Sequence, residues 1–404
     1  MTDIESDSDQ YVYSSDHYAH LTFSRGEGAR CWTTDGREFL DLICGQGPVV
    51  LGHAHPAVTT AVARQLREGT LLPGPGPAFD RLREILLDLY PHTDSVLTFK
   101  TGSEAVSAAI RISRAHTGRD TVLRVGFHGW HDQLMSPFVR CHSYDEAQFE
   151  TNWPTGIPHE AFANLVRVWH GSDPNDLVAL VNAIGDKLAA VVVDPVQLRP
   201  PAAAVAAVRL AQVVRDKGAL LIFDESKTGF RVHLGGVQAL YGMTADLTVL
   251  SKALANGLPL AAVLGRAELI AQARQARIKG TFCSETTAIA AAVATVETLQ
   301  AADAPRTLNM LGTQLLDGLT DAIRSANLQG QIAAVPYHWP CMPYVHFTED
   351  SQMLRDAFYA GMLQRGVLML RDHMNYISLA LTHSDIEAII LAASDVLSEL
   401  GSKA

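Results

Sequence analysis

Asp246-Leu-Thr-Val-Leu-Ser-Lys252-Ala-Leu-Ala-Asn-Gly257-Leu-Pro-Leu-Ala261 is the stretch on which the reading of this chain turns. A β-branched and aliphatic run stops at Ser251-Lys252. A small-residue turn with Gly257 and Pro259 follows, and a second apolar run continues from Leu260 to Gly265. A lysine at such a strand end can keep its four-carbon stem packed while its amine points into a cleft, where loss of solvent favours the neutral form. It is then a candidate Schiff-base amine. Taken alone, the stretch fits a solvated surface lysine better, because lysine is rarely buried.

Upstream, Gly218-Ala-Leu-Leu-Ile-Phe-Asp224-Glu225 is an apolar run without alternation, which reads as a strand covered on both faces. It too ends in an ionisable residue, and ligands of open α/β sheets collect at the carboxyl ends of the strands. A pyridoxal phosphate site needs a lysine to hold the aldehyde and a carboxylate to keep the pyridine nitrogen protonated. Gly102-Ser103-Glu104 opens a helical pattern. Ser103 is the expected cap, and the free N–H groups of that helix start are a candidate phosphate site.

Thr101-Gly-Ser-Glu-Ala-Val106, Phe127-His-Gly129, Asp224-Glu-Ser-Lys-Thr-Gly-Phe-Arg231, Ser251-Lys252 through Pro259, and Gly280-Thr281 occur in one order and spacing. In this the chain resembles the class III pyridoxal phosphate-dependent aminotransferases. Arg25-Gly-Glu-Gly-Ala29, Asp35-Gly-Arg37, Gly47-Pro48 and Gly52-His-Ala-His-Pro56 make it most similar to the glutamate-1-semialdehyde aminomutase branch. The resemblance covers roughly residues 21 to 390 and implies the PLP-dependent transferase fold type I. That fold is an α/β architecture: a mostly parallel sheet with helices on both faces, plus a smaller α+β domain formed by the N- and C-terminal parts.

The same resemblance implies site roles. Lys252 holds the cofactor and, once released by the substrate amine, shuttles a proton. Asp224 pairs with the pyridinium, Phe127 stacks on one ring face, and Gly102 and Ser103 hold the phosphate. Thr281 reaches the phosphate of a neighbouring subunit, so a homodimer with shared active sites is expected. The chain also departs from the pattern. Ser226 and Lys227 replace an aliphatic and an uncharged residue, Gln46 stands where tryptophan is usual, and Glu285 where asparagine is common. The branch grips its substrate carboxylate with an arginine upstream of the Arg25 turn, and here that stretch is Ser14-Ser-Asp16-His-Tyr-Ala-His20. Arginine is the natural bidentate partner of a carboxylate. Asp16, Gln46 and Glu285 therefore point to a polar, cationic or polyhydroxylated substrate, with Arg199 as a rival anion site.

A chain of 404 residues, with 48% hydrophobic and 19% charged residues, suits one large and one lesser domain. The expected divisions are 1–60 (arm and part of the small domain), 61–303 (large cofactor-binding domain) and 304–404 (C-terminal α+β domain). A net charge of -11 and the absence of a Lys/Arg-rich run exclude nucleic acid as an expected partner. No apolar stretch approaches the roughly 20 residues of a membrane span. The acidic amino terminus is unlike a targeting peptide, and Cys31, Cys44, Cys141, Cys283 and Cys341 show no pairing pattern. A cytoplasmic location is the expectation. His53-Ala-His55 and His128-Gly-Trp-His131 have metal-like spacing but no matching second pair, so no metal is expected.

Periodicity places helices at 56–68, 79–89, 102–116, 203–216, 267–277, 286–299, 308–326, 352–364 and 384–397. Strands are expected at 95–99 and 188–193, paired over 332–347, and short near Val367 and Ile377. The expected activity is transfer of an amino group between small-molecule amine and carbonyl partners, the acceptor being polar and of aminosugar or aminocyclitol type. The alternative is an isomerase using the same cofactor, either an aminomutase or an amine epimerase.

Overall fold

The computed structural model describes residues 17–134, 156–157, 166–169, 174–197 and 202–402. They divide into one unit built from the chain's two ends, up to His55 and from Arg306, and a second running from Pro56 to Pro305. The expected boundaries were 60/61 and 303/304.

In the first unit, β1 (Phe23–Glu27), β2 (Arg30–Thr33) and β3 (Glu38–Asp41) form an antiparallel meander. The turn between β2 and β3 is Thr34 to Arg37, where Gly36 takes the left-handed conformation that side chains resist.

The second unit begins with α1 (Pro56–Glu68) and α2 (Pro77–Leu89). The prolines between Leu72 and Pro77 remove the N–H groups that would join them into one helix. Then come β4 (Ser95–Phe99), α3 (Gly102–Thr117), β5 (Thr121–Val125), β6 (Val166–Trp169), α4 (Pro174–Ile184), β7 (Leu188–Val193) and α5 (Ala202–Asp216). After these follow β8 (Leu220–Asp224), α6 (Gly236–Tyr241), β9 (Leu247–Leu250), β10 (Ala261–Gly265), two one-turn helices, α7 (Ala267–Ile270) and α8 (Gln272–Gln275), and α9 (Thr286–Ala301). The single helix expected over 267–277 is thus two pieces that join at Ala271.

The seven strands form one sheet in the order β4-β10-β9-β8-β7-β5-β6. β6, β5, β7, β8 and β9 run parallel, and β10 alone runs against its neighbours. Period-two alternation splits each strand between two cores. Val122, Val192, Ile222 and Val249 face α3, whereas Leu123, Val191, Leu221 and Phe223 pack with Leu177 and Val181 of α4 and Leu210 and Val214 of α5. Burial on both faces is why these strands read as uninterrupted apolar runs.

The chain returns to the first unit through α10 (Ala304–Ser325), the hairpin β11 (Ile332–Tyr337) and β12 (Trp339–Phe347), α11 (Gln352–Gln364), β13 (Val367–Leu368) and α12 (His383–Gly401). β13 adds parallel to β3 and completes a four-stranded sheet from both chain ends. No strand forms at Ile377. Instead Tyr376, Ile377 and Leu379 donate to the carbonyls of Leu42, Cys341 and Val50, so the segment spreads its hydrogen bonds over three partners and joins no ladder. Among the described residues no helix is long and apolar enough to cross a membrane.

Candidate active site

The parallel strands deliver their terminal residues to one edge of the large sheet: Phe127 and His128 after β5, Asp194 after β7, Asp224 at the end of β8, and Lys252 two residues beyond β9. The start of α3 follows β4, which runs parallel to them through β10, and so reaches the same edge.

Lys252 adopts φ 43° and opens a short 3-10 turn through Ala255. A left-handed conformation in a residue other than glycine stores strain, and such strain gathers at functional sites. The side chain is only partly accessible. Burial pulls its ammonium down from the ordinary range and the Lys227 cation pushes the same way. Asp224 opposes them, and the balance, with Arg231 and Asp194, lies at about 8.

Asp224 is 5% exposed. Oδ2 accepts from His128 Nδ1 at 2.9 Å, and Oδ1 accepts from the Ser226 amide at 3.2 Å and the Ser226 hydroxyl at 2.5 Å. Burial works to raise this carboxyl, but the hydrogen bond and charge of His128, with the Ser226 hydrogen bond and the Lys227 cation, together hold Asp224 below its usual value. A carboxylate offers about four acceptor positions. Among the described residues three are used, which leaves one open to a further donor.

In the sequence His128 stands inside the Phe127-His-Gly129 motif and as half of a metal-like spacing, and neither assigns it a partner. Its actual partner is 96 residues away, a pairing that no sequence interval signals. Its Nε2 is buried and has no hydrogen-bond partner among the described residues. We expect His128→Phe to lower turnover roughly 10- to 100-fold, the cost of one hydrogen bond to a buried charge. His128→Asn, which keeps a donor, should recover part of the loss. Steady-state kinetics on both variants, with circular dichroism to confirm folding, checks this.

At the start of α3 the expected cap is corrected. Thr101, in extended conformation, is the N-cap of α3, and it forms a capping box with Glu104. Ser103 lies two positions past the cap, inside the first turn of the helix. Its hydroxyl instead faces the loop after β5 and accepts from the Trp130 amide at 3.4 Å. Gly129, at φ 115°, lies so close that an added Cβ would sit 2.0 Å from Ser103 Oγ. A Cβ on Gly102 would approach Ser226 Oγ at 3.3 Å and Ser251 Oγ at 3.4 Å, so a backbone amide and two hydroxyls share one small-residue cradle. The helix start with its free N–H groups supplies positive potential there.

Two further acids near this edge are committed to structure. Lys227 Nζ donates to Asp194 Oδ2 at 2.6 Å, with the side chains 8% and 2% exposed. Glu225, 1% exposed, accepts from the Val237 and Gln238 amides and from the Thr228 hydroxyl, and burial carries its carboxyl up to about 7.

Of the substrate-contact expectations, Asp16 and Arg199 lie outside the described residues. Gln46 occupies an exposed left-handed turn of the smaller unit. Glu285 is the N-cap of α9, accepting from the Thr287 and Ala288 amides, and pairs with Lys100 at 2.9 Å. Burial opposes its ionisation, but Lys100 and these N–H donors prevail and bring it to about 2. Its charge is therefore already compensated within the fold. Thr281 is exposed in the turn before α9, next to Phe282, which is 60% exposed.

A family model described as aminotransferase class-III matches residues 11–393. The chain is 31% identical over 398 residues to the glutamate-1-semialdehyde 2,1-aminomutase of Desulforapulum autotrophicum, covering 94% of this chain and 92% of that protein. An omega-transaminase from Sphaerobacter thermophilus aligns with a TM-score of 0.82 and 27% identity, over 93% of this chain and 90% of its own. The FumI protein of Sphingopyxis sp. MTA144, solved in a PLP form, gives a TM-score of 0.83 at 25% identity, over 97% and 94%.

Proposed function

The chain belongs to the class-III aminotransferases and uses pyridoxal 5'-phosphate, and from that premise we propose that it moves an amino group from a separate amine donor to the carbonyl of a polar, hydroxylated acceptor. The observation that supports cofactor-dependent amino-group chemistry most directly is the convergence of Lys252, Asp224 and His128 at the carboxyl edge of the sheet. The cofactor, when bound, supplies an electron sink for the pair left on the substrate carbon as its proton departs.

In this reading the Lys252 amine holds the cofactor aldehyde and then carries a proton on and off the substrate carbon. The remaining acceptor position of Asp224 keeps the ring nitrogen protonated, and the His128 Nδ1 hydrogen bond fixes that carboxylate in place. Gly102 and Ser103 would take the phosphate, and Phe127 would pack against the ring. Thr281 serves the phosphate of a second copy, so that the working form is a homodimer.

The polar acceptor is supported by Gln46, which stands where an aromatic wall is usual. Glu285 adds no uncompensated charge to that case. The aminomutase reading is favoured by the 31% identity to a named aminomutase, and opposed by Ser14 to His20, which offer no arginine for a substrate carboxylate.

Donor stoichiometry separates the two. The visible spectrum of the holoenzyme is followed while single amines are added, among them glutamate, diamines and aminosugars. A one-for-one conversion of amine to carbonyl product with lasting loss of the cofactor band supports the transaminase. An isomerised amine with the band restored overturns it.

The lysine also sets a pH dependence. Below about 8 most of the amine is ammonium and has no lone pair to attack the aldehyde. The rate at which apoenzyme captures cofactor should therefore climb about tenfold per pH unit below 8 and level off above it. Stopped-flow absorbance from pH 6 to 9.5 reads this directly.

A further inference from the structure

The pair His53-Ala-His55 was set aside as a metal pattern for want of a second pair, and the fold supplies different companions for one of its members. Within the smaller unit, Cys31 of β2, Asp41 at the end of β3, and His53 bring their donor atoms within 4.8 Å of one another. His53 Nε2 is 2.8 Å from Asp41 Oδ2 and 3.3 Å from Cys31 Sγ. A tetrahedral zinc at its usual bond lengths spaces nitrogen, oxygen and sulfur donors roughly 3.3 to 3.6 Å apart, so spreading by about half an ångström opens the centre.

Each donor is held by backbone structure. Cys31 pairs with Phe39 and with Gly26 in the sheet. Asp41 Oδ1 accepts from the Ile43 and Cys44 amides at 2.7 and 3.1 Å, leaving Oδ2 directed at His53. His53 exchanges two main-chain hydrogen bonds with Gly28, and its ring lies against Gly26, where an added Cβ would come within 2.7 Å of Cγ. Gly26 thus provides the space in which the imidazole stands. Asp41 is buried and His53 is part-exposed, so an ion has a route in along the imidazole.

We propose that Cys31, Asp41 and His53 form a binding site for a borderline-soft divalent cation of the zinc type, completed by water. One thiolate, one imidazole and one carboxylate with an open fourth position are a zinc-type donor set, whereas magnesium and calcium take oxygen donors. On binding, the thiol proton and the proton held between His53 and Asp41 pass to water as the metal bonds form. The site ties β2, β3 and the Gly52–Pro56 turn together and does not depend on the cofactor.

The full chain, loaded with cofactor and stripped of metal by chelator, is titrated with cobalt(II) alone and read through the visible bands of tetrahedral cobalt, clear of cofactor absorption. Metal retained after dialysis is measured alongside. The expected result is one cobalt per chain, displaced by zinc, unchanged in Cys283→Ser and lost in Cys31→Ser. His53→Gln, checked for folding by circular dichroism, should lose it too. Absence of the bands in the wild-type chain, or their persistence in Cys31→Ser, overturns the proposal.

Discussion

Replacing Lys252 by alanine is expected to lower turnover by at least about 10⁴-fold, since in the proposed reading it removes both the amine that holds the cofactor and the group that moves the substrate proton. Lys252→Arg keeps the charge but has no usable nucleophile, because a guanidinium does not deprotonate in proteins. The two variants should be about equally inactive, which separates nucleophile loss from charge loss. Both should fold, since the side chain is partly accessible and its neighbours Ala253 and Leu254 supply the local packing. The measurement is single-turnover kinetics with cofactor content determined in parallel. Turnover in Lys252→Arg within tenfold of wild type would end the assignment of Lys252.

The second large effect is on stability. Lys227→Met removes the cation that donates directly to Asp194, whose side chain is 2% exposed, and removing one partner of a buried pair costs about 3 to 5 kcal/mol. Lys227→Met combined with Asp194→Asn should recover most of that loss. The asparagine keeps the oxygen that accepts from the Val196 amide at 3.1 Å and leaves no charge unpaired. Urea midpoints of the apo protein test both variants.

The same substitution has an electrostatic consequence with a definite sign. Lys227 disfavours the charged form of Lys252. Without it Lys252 keeps its proton to higher pH, and in the double variant the plateau of cofactor capture should move above 8. A destabilised single variant with an unmoved plateau in the double variant would mean that the ion pair serves the fold alone.

Sequence by itself determined the layered architecture. The runs at Leu188–Val193, Leu220–Asp224 and Leu247–Leu250 are apolar at every position or nearly so, because both faces of a central parallel strand are covered. A pattern imposed by burial can be read back from composition. For the same reason Lys252 and Asp224 stood out as charges that end apolar runs. β5 escaped because Arg124 interrupts its run, and that arginine is fully buried, a placement that only surrounding structure permits.

Only the tertiary structure decided which polar groups meet. Thr101 rather than Ser103 caps α3 because the chain turns out of extended conformation two residues earlier than composition suggests. His128 reaches Asp224 across the ends of different strands, Lys227 turns to Asp194 rather than to solvent, and Glu285 is committed to Lys100 and the start of α9. Cys31, Asp41 and His53 likewise converge from three separate segments. Apolar burial leaves a local periodic record along the chain. The pairing of buried charges depends on strand order, and strand order has no counterpart in any local interval of sequence.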